Sequence, residues 1–329
     1  MQEENIREIS IHVTQKCNLN CKGCYAKVMH DDMAKILSID DLKWIKKTFN
    51  PQKTVLLGGE PLMYEYLEDA LNLFDNVTIS TNGYFVPDYI DLLKEHNVFM
   101  QISIEGKKEY NDQVRAPGSY DKAIKAGKLA KENGLRCYFR VGYCEDNLED
   151  IDWLLDNVST KLGIPLALLP RIETPPLSIE QQIGLFDKIT GADNNSIVAM
   201  PHFWRYLGKN GRCNAGSERI NITYNKTITP CHLLWKYHLG EIGDPLPVIN
   251  TNRKSFIKTY KRIPSGCQFC EHADECRGGC LAKPTHYGCP LKANFNLGAF
   301  AMVHGNMSKQ KLDAKVQTMT ALVKEAEIC

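Results

Sequence analysis

The chain has 329 residues, of which 43% are apolar and 24% are charged, the composition of a globular protein with room for one large α/β domain and a smaller one. Its 40 basic and 39 acidic side chains nearly cancel, which excludes the strongly basic surface of a nucleic-acid-binding protein. No apolar run reaches the length of a membrane helix and the polar N-terminus is not a signal peptide, so we expect a cytoplasmic protein with no membrane partner.

Short apolar strands alternate with helices through the first half of the chain, a pattern that predicts βαβ units around a parallel sheet. Ser38, Pro87, Ser119 and Ser178 mark helix starts, and Gly134 ends the helix that Ser119 is expected to cap. The predicted strands span residues 7–13, 54–57, 77–80, 99–104, 136–143 and 164–169. The predicted helices between them span residues 39–49, 64–74, 87–95, 119–133 and 148–158. We therefore expect a partial (β/α)6 barrel of the TIM type.

The alternation stops near residue 200, where cysteine, glycine and aromatic residues become more frequent and only short strand-like runs such as 219–223 remain. A segment of this kind buries little core and is expected to need bound metal to fold. We predict a barrel over residues 1–200, a small cysteine-rich domain over 201–300, and a C-terminal segment over 301–329 with a surface helix at 308–327.

The loop after the first predicted strand holds Cys17, Cys21 and Cys24, spaced C-x3-C-x2-C. Thiolates this close are usually metal ligands, because soft sulfur selects zinc, copper(I) or iron–sulfur clusters. Thirteen cysteines without an export signal also favour metal binding over disulfides. A closed zinc site or an ordinary cubane needs four ligands, so three leave one position open. The alternative is a zinc loop completed by a remote ligand such as His12 or His30.

Polar motifs follow the next three predicted strands at the point where each strand ends. The second strand is followed by Gly58-Gly59-Glu60-Pro61, the third by Thr81-Asn82-Gly83, and the fourth ends in Ser103-Ile104-Glu105-Gly106. Because the chemistry of α/β barrels sits at the C-terminal strand ends, these motifs are expected to share one site with the cysteine loop.

A second group of cysteines lies in the C-terminal part of the chain. Its members are Cys213, Cys231, Cys267, Cys270, Cys276, Cys280 and Cys289. Four of them fall within residues 267–280 and would by themselves suit one zinc site. The full set exceeds one closed site and indicates two. The remaining cysteines, Cys137, Cys144 and Cys329, are expected to be small buried apolar groups.

These residues together resemble the radical S-adenosylmethionine (SAM) superfamily over nearly the whole chain. The cysteine loop followed by Tyr25, and then the Gly-Gly-Glu-Pro segment, are similar to the two leading signatures of that family. The motifs at the third and fourth strand ends, and Val114-Arg115 ahead of Pro117-Gly118-Ser119-Tyr120, resemble further blocks of one subgroup. The combination, in this order and at strand ends, is specific and leaves the zinc loop a remote alternative.

The resemblance implies that Cys17, Cys21 and Cys24 hold a [4Fe–4S] cluster whose open iron binds SAM, and that an electron from the cluster releases a 5′-deoxyadenosyl radical. It also implies a set of SAM contacts. The methionyl ammonium would contact Gly58, Gly59 and Glu60, and the methionyl carboxylate would contact Ser103 and Arg140. The adenine would lie against Tyr25. The rest of the cofactor would be lined by Asn82, Glu105 and Arg115. For Ser103 and Arg140 the alternative is an ordinary polar contact at a strand end.

The C-terminal cysteines resemble the SPASM domain, an extension of some radical SAM enzymes that carries two auxiliary [4Fe–4S] clusters. Lys226 stands where the pattern has glycine, which puts the local turn in doubt. The inner cluster is one ligand short, because Ser217 and Glu218 stand where some relatives have a further cysteine. It is therefore expected to have an open iron that meets substrate or a non-cysteine ligand, and zinc is the alternative for both sites. The outer cluster would take Cys267, Cys270, Cys276 and Cys289, and the inner one Cys213, Cys231 and Cys280.

His232 directly follows Cys231, at a position where SPASM enzymes that mature anaerobic sulfatases have an aspartate regarded as a base. A histidine suits the same role because its pKa lies near neutrality. Packing beside the cluster is the alternative. The difference counts against sulfatase maturation.

The function implied by the resemblance is that of an oxidoreductase that abstracts a hydrogen atom and oxidises or crosslinks a residue of a peptide or protein. A second interpretation is a small-molecule dehydrogenase or epimerase acting on a sugar or aminocyclitol, and a third is a non-catalytic iron–sulfur electron carrier. Only sixteen residues precede Cys17, so no N-terminal peptide-recognition domain is expected. This reduces the preference for a peptide substrate over a small molecule. Flavodoxin or ferredoxin is the expected reductant, in an anaerobic setting.

Overall fold

The computed structural model describes residues 5–29, 35–175 and 213–260, with single positions and short pieces between 177 and 199 and between 268 and 284. Two compact units are formed. The first comprises Met1–Ile104, Lys108–Cys137 and Cys213–Arg262, and the second comprises Glu105–Lys107, Tyr138–Arg212 and Ile263–Cys329. Within the described part of the chain, no helix is both long enough and apolar enough to cross a membrane.

The order of elements follows the predicted alternation. The strands are β1 (Glu8–Thr14), β2 (Lys53–Gly58), β3 (Val77–Thr81), β4 (Phe99–Ile104), β5 (Cys137–Tyr143), β6 (Leu166–Pro170), β7 (Ile197–Ala199), β8 (Arg219–Ile222), β9 (Thr227–Thr229), β10 (Gly240–Glu241), β11 (Gly279–Cys280) and β12 (Lys283–Pro284). The helices are α1 (Ile39–Phe49), α2 (Leu67–Leu73), α3 (Val86–Glu95), α4 (Lys108–Val114), α5 (Ser119–Glu132), α6 (Leu148–Leu154) and α7 (Leu246–Tyr260).

The sheet of the first unit is built around β1. On one side β2, β3 and β4 follow as parallel neighbours, and on the other side β8 pairs with β1 in parallel and continues into antiparallel β9 and β10. Nearly every residue of β1 is buried, which is typical of a parallel strand covered on both faces. The parallel α/β arrangement is that of a radical-SAM-type partial barrel and confirms the predicted fold class.

Residues after 213 contribute core to the first unit. Ser10 of β1 lies opposite Asn221 of β8, and the Arg219 guanidinium donates to the Glu8 carboxylate at 3.0 Å. The side chains of Ile220 and Ile222 are fully buried. This segment therefore packs as an extension of the sheet, which differs from the expectation that it buries little core. The predicted domain boundaries at 200 and 300 fall outside the described residues and remain predictions.

The second unit contains the parallel strands β5, β6 and β7. In the register of β5 and β6, Arg140 lies opposite Ala167. The helix predicted over 148–158 is present as α6, and a π-helical stretch over Leu155–Thr160 prolongs it. Ser178 and Gln181 exchange two hydrogen bonds of a capping box, which supports the helix start predicted at Ser178. The helix predicted at 308–327 lies outside the described residues.

Three details of the first unit differ from the predictions. Helix α2 begins at Leu67, because Pro61–Met63 forms a separate 3-10 turn. Helix α4 had no counterpart in the predicted pattern. Ser119 lies inside the first turn of α5, whose N-cap is Gly118 at a φ of 79°. The Asp112 carboxylate accepts hydrogen bonds from the backbone N–H groups of Gly118 and Tyr120, so it takes over the capping role.

Candidate cofactor site

The cysteine loop begins where β1 ends. Cys17 is exposed, Cys21 and Cys24 are half-buried, and none of the three forms a disulfide. The loop is tied down by the backbone N–H of Lys22, which donates to the Val114 carbonyl at 2.7 Å. Three thiols on one anchored, accessible loop are a donor set that fits a [4Fe–4S] cluster with one open iron.

The same loop offers no ready site for a single metal ion. Among the residues that the structure describes, no three His, Cys, Asp or Glu side chains converge closely enough to hold one ion. A zinc site needs its thiolates within about 2.3 Å of one centre, whereas a cubane cluster is held by thiolates bound to separate irons.

Gly58 and Gly59 pack against the backbone that leads into the cysteine loop, and this close contact leaves no room for a side chain at either position. A Cβ on Gly59 would lie 2.2 Å from the Lys16 carbonyl oxygen, and one on Gly58 would lie 2.5 Å from the Thr14 oxygen. Two backbone bonds of 2.8 Å, from Gly59 N–H to Thr14 and from Glu60 N–H to Lys16, close this contact. The strand-end glycines thus fix the position of the cysteine loop, and their contact with the methionyl ammonium remains a prediction.

Glu60 forms a buried brace between two strand ends. Its carboxylate accepts hydrogen bonds from Leu62 N–H at 3.2 Å, the Thr81 hydroxyl at 2.7 Å and Asn82 N–H at 2.8 Å. Only 1% of its surface is exposed, and burial raises the pKa of this carboxyl even though these hydrogen bonds and Arg115 act to lower it. Both oxygens are therefore occupied by the protein, and a direct role in orienting SAM remains a prediction.

Asn82 connects the third strand end to the cysteine loop. Its side-chain Nδ2 donates to the side-chain Oδ1 of Asn18, one residue after Cys17, at 2.8 Å. Gly83 follows at a φ of 88°, and a Cβ there would lie 3.1 Å from the Ala126 methyl group of α5. The Thr-Asn-Gly motif therefore serves local geometry at each position, and Asn18 is a site residue that the sequence did not single out.

Ser103 lies on a half-exposed face of the sheet. In the register of β3 and β4, Ser80 lies opposite Gln101, and Ser103 follows two residues later on the same face. All three side chains are partly exposed, in contrast to the buried Ile102 and Ile104 on the opposite face. The predicted contact of Ser103 with the methionyl carboxylate remains a prediction.

Two predicted contacts belong to the second unit. The Glu105 carboxylate accepts a hydrogen bond from Gly142 N–H at 3.2 Å, and Arg140 lies two residues earlier on β5, partly exposed. Asn147 is buried and donates to the carbonyl oxygens of Glu105 at 2.6 Å and Gly142 at 2.9 Å. Asn147 therefore holds these strand ends together. No motif marked it in the sequence, because a single buried amide leaves no pattern.

An aromatic group connects the cysteine loop to the segment after β9. The Tyr25 ring lies edge-on to the His232 ring at 5.6 Å and to the His12 ring at 6.1 Å. His232 Nδ1 lies 3.8 Å from the Cys231 sulfur. The structure thus places the predicted base beside the aromatic residue that follows Cys24.

The segments that carry Cys213 and Cys231 are joined by backbone hydrogen bonds. Gly216 N–H donates to both the Arg219 and the Pro230 carbonyl oxygens, at 2.7 and 3.1 Å. Arg253 of α7, which is buried, donates through Nε to the Gly216 carbonyl at 3.0 Å and clamps the turn. Two of the three predicted ligands of the inner cluster, Cys213 and Cys231, are therefore on segments held side by side, and Arg253 is a supporting residue that the sequence did not reveal.

The other predicted ligands of the second cysteine set are only partly described. Cys280 lies in β11, of which the structure gives the backbone pairing with β12. The remaining positions, Cys267, Cys270, Cys276 and Cys289, lie outside the described residues. Their assignment to clusters remains a prediction.

Lys226 adopts the backbone conformation of the glycine that it replaces. Its φ is 67°, and its N–H closes a turn onto the Thr223 carbonyl at 2.9 Å. The ammonium group pairs with the Asp41 carboxylate of α1 at 2.8 Å. The doubt about this turn is thereby removed: the turn forms with lysine in the left-handed region, where an ordinary side chain costs about 1–2 kcal/mol.

Substitutions at Lys226 separate backbone strain from the ion pair. Lys226→Gly removes both, so we expect the free energy of unfolding to change by less than about 1 kcal/mol. Lys226→Ala removes the pair and keeps the strain, so it is expected to be less stable than the glycine variant by about 1 kcal/mol. Urea unfolding measures the difference, and a glycine variant less stable than the alanine variant would contradict this account.

Comparison with known proteins agrees with this geometry. Residues 11–158 match the model of the Radical SAM superfamily. A probable GTP 3′,8-cyclase from Methanococcus maripaludis is 26% identical over 297 residues, 80% of this chain and 97% of that protein. Two solved structures share the fold: anSMEcpe with bound AdoMet and Kp18Cys peptide (TM-score 0.72, 18% identity, 94% of this chain and 99% of that chain), and Streptococcus suis SuiB bound to precursor peptide SuiA (TM-score 0.67, 19% identity, 85% and 72%).

Proposed function

Because residues 11–158 match the Radical SAM superfamily model, we propose that the protein is a radical SAM/SPASM oxidoreductase that oxidises or crosslinks a residue of a peptide or protein. The observation that carries the radical chemistry is the three-cysteine loop, held in place by Gly59 and by hydrogen bonds that lead from Glu60 through Asn82 to Asn18. This architecture fixes three thiolates and leaves the approach to them open, as a cluster that binds a second molecule requires.

In this proposal Cys17, Cys21 and Cys24 hold a [4Fe–4S] cluster. When bound, the cluster and SAM supply the 5′-deoxyadenosyl radical that removes a hydrogen atom from the substrate. The role of the protein is to orient the cofactor and exclude water. Ser103 on the half-exposed face of β4 and Arg140 on β5 are assigned to the methionyl carboxylate, since a guanidinium binds carboxylates through two parallel hydrogen bonds.

The C-terminal residues are assigned to electron and proton removal. Cys213, Cys231 and Cys280 would hold the inner auxiliary cluster. The outer one would take Cys267, Cys270, Cys276 and Cys289. Burial lowers the pKa of Arg219, but Glu8, Cys231 and Cys213 raise it above its ordinary value, which supports a shared location of the two cysteines beside one guanidinium. His232, beside Cys231 and Tyr25, is placed to take a proton from substrate once an electron has left it.

Two substrate classes are each supported by one of the comparisons. Peptides are bound in the anSMEcpe and SuiB structures, whose fold this chain shares, which supports a peptide or protein substrate. The similarity to a GTP 3′,8-cyclase over 80% of the chain supports the second candidate, a small molecule such as a sugar, aminocyclitol or nucleotide. In either case the reductant is a flavodoxin or ferredoxin of an anaerobic cytoplasm.

The decisive experiment uses protein reconstituted with iron and sulfide under anaerobic conditions. We expect about twelve irons per chain for three full clusters, and about four fewer in a variant with Cys17, Cys21 and Cys24 replaced by alanine. Reductive SAM cleavage to 5′-deoxyadenosine should fall at least about a hundredfold in that variant. Cys137→Ala is the matched control, since burial raises the pKa of that thiol to about 11 and keeps it protonated. Wild-type protein that binds iron but never cleaves SAM would support the non-catalytic electron carrier instead.

Deuterium transfer from the substrate to 5′-deoxyadenosine distinguishes a peptide substrate from a small-molecule substrate. Extract from cells grown in deuterated medium is divided into a peptide fraction and a small-molecule fraction, and each is offered to the enzyme. Deuterium in 5′-deoxyadenosine from the peptide fraction alone supports the first candidate, and deuterium from the small-molecule fraction alone supports the second. The triple cysteine variant provides the background for both.

A further inference from the structure

His12 is a buried residue for which the proposed chemistry has no use. It lies on β1, opposite Leu57 of β2, and its exposed surface is 0%. Among the residues that the structure describes, neither ring nitrogen makes a hydrogen bond of regular geometry, and the polar side chain that interacts with the ring is that of Asn221. Burial lowers the pKa of the ring to about 3, against a smaller opposing effect of Asn221, so the imidazole is uncharged at neutral pH.

The ring of His12 is in contact with two tyrosines from distant parts of the chain. Tyr25 belongs to the cysteine loop and lies edge-on at 6.1 Å and 77°. Tyr224 lies in the turn between β8 and β9 and is edge-on at 6.4 Å and 80°. Tyr25 is also held from another side by His232, at 5.6 Å. The orientation of Tyr25 therefore depends on His12 and, through both histidines, on the segment from Tyr224 to His232.

We propose that His12 is a positioning residue for the SAM site: its ring transmits the position of the segment containing Tyr224 to Tyr25, and so orients the surface on which the adenosyl group of SAM rests. The inference deepens the proposed function and rests on it. Edge-to-face ring contacts have a preferred geometry, which aliphatic side chains of similar size do not reproduce. The ring of His12, and not its charge or its nitrogens, carries the effect.

The test compares two substitutions in the reconstituted protein. His12→Leu removes the aromatic edges, and we expect it to weaken SAM binding about five- to tenfold, measured by titrating the EPR signal of the reduced cluster. His12→Phe keeps an aromatic edge and is expected to bind SAM within about twofold of wild type. Iron content should be unchanged in both, because neither touches a cysteine.

A substitution at Tyr224, the other ring that contacts His12, tests the same inference without changing residue 12. Tyr224→Leu should reproduce the loss of SAM affinity, and His12→Leu combined with Tyr224→Leu should cost little more than either alone, because both act through Tyr25. Amide hydrogen exchange over residues 25–29, measured without SAM, should be faster in His12→Leu and close to wild type in His12→Phe.

The outcomes distinguish this inference from the proposed function. Wild-type protein that does not cleave SAM refutes the proposed function, whereas the exchange measurement still decides whether His12 orders the loop. Unchanged SAM affinity and unchanged exchange over residues 25–29 in His12→Leu would overturn the inference. A His12→Phe variant as defective as His12→Leu would also overturn it, since the ring nitrogens rather than the ring would then be required.

Discussion

Replacement of Gly59 by alanine is expected to abolish cluster binding at the cysteine loop and to reduce SAM cleavage at least about a hundredfold. The new Cβ would lie 2.2 Å from the carbonyl oxygen of Lys16 and 2.5 Å from that of Gln15. Both are backbone atoms of the segment that leads into Cys17, so no side-chain rotation relieves the overlap. The loop has to move, and the hydrogen bonds that anchor it to Gly59 and Glu60 break.

The effect of Gly59→Ala is read from the iron content, the EPR signal of the reduced cluster and 5′-deoxyadenosine formation. Gly184→Ala is the matched control, because nothing lies within 4 Å of the added methyl group and its backbone is not in the left-handed region. We expect the control to behave as wild type. A Gly59→Ala protein with normal iron and normal SAM cleavage would show that the loop tolerates displacement, and would contradict the packing described above.

The sequence was sufficient to predict the parts of the fold that depend on local pattern. β4 begins and ends at the predicted residues, and Ser38 is the N-cap of α1 as expected, where it forms a capping box with Asp41. Helix α4 was missed because its polar sequence, KEYNDQV, shows no clear apolar stripe. The cap of α5 was misassigned to Ser119 because the carboxylate that performs the capping, Asp112, lies six residues before the N-cap.

In the candidate site, too, the features that follow from local sequence pattern were predictable and those that depend on distant contacts were not. The cysteine loop and the glycine-rich strand end were predicted as one site from the rule that strand ends converge, and the backbone bonds between them agree with it. The reasons for individual residues were not predictable, because they depend on contacts between distant positions. Glu60 bonds to Thr81 and Asn82, and Asn82 bonds to Asn18, across separations of 21 to 64 residues. The role of Glu60 at the cofactor remains a prediction, and the sequence did not reveal that its carboxylate joins two strand ends.

Replacement of Glu60 by glutamine tests this internal role. The glutamine oxygen can still accept hydrogen bonds from Leu62 N–H and the Thr81 hydroxyl. Its NH₂ group then faces Asn82 N–H, and because both groups are donors, the bond of 2.8 Å between Asn82 N–H and residue 60 is lost. A buried donor left without an acceptor costs about 1–3 kcal/mol, so the free energy of unfolding is expected to fall by about that amount. SAM cleavage should fall as well, because Asn82 no longer holds Asn18 in place.

The pH dependence gives the Glu60→Gln experiment a second readout. Burial raises the pKa of Glu60 above its unfolded value, so the contribution of this group to stability is largest at low pH and is lost as pH rises through the folded pKa. Glutamine does not titrate, and the stability difference between the two proteins should therefore narrow as pH rises above the ordinary glutamate range. Chemical unfolding at several pH values measures it, with Glu95→Gln, at the exposed end of α3, as the control. Equal stability of wild type and Glu60→Gln at every pH, with unchanged SAM cleavage, would show that the carboxylate does not brace the strand ends.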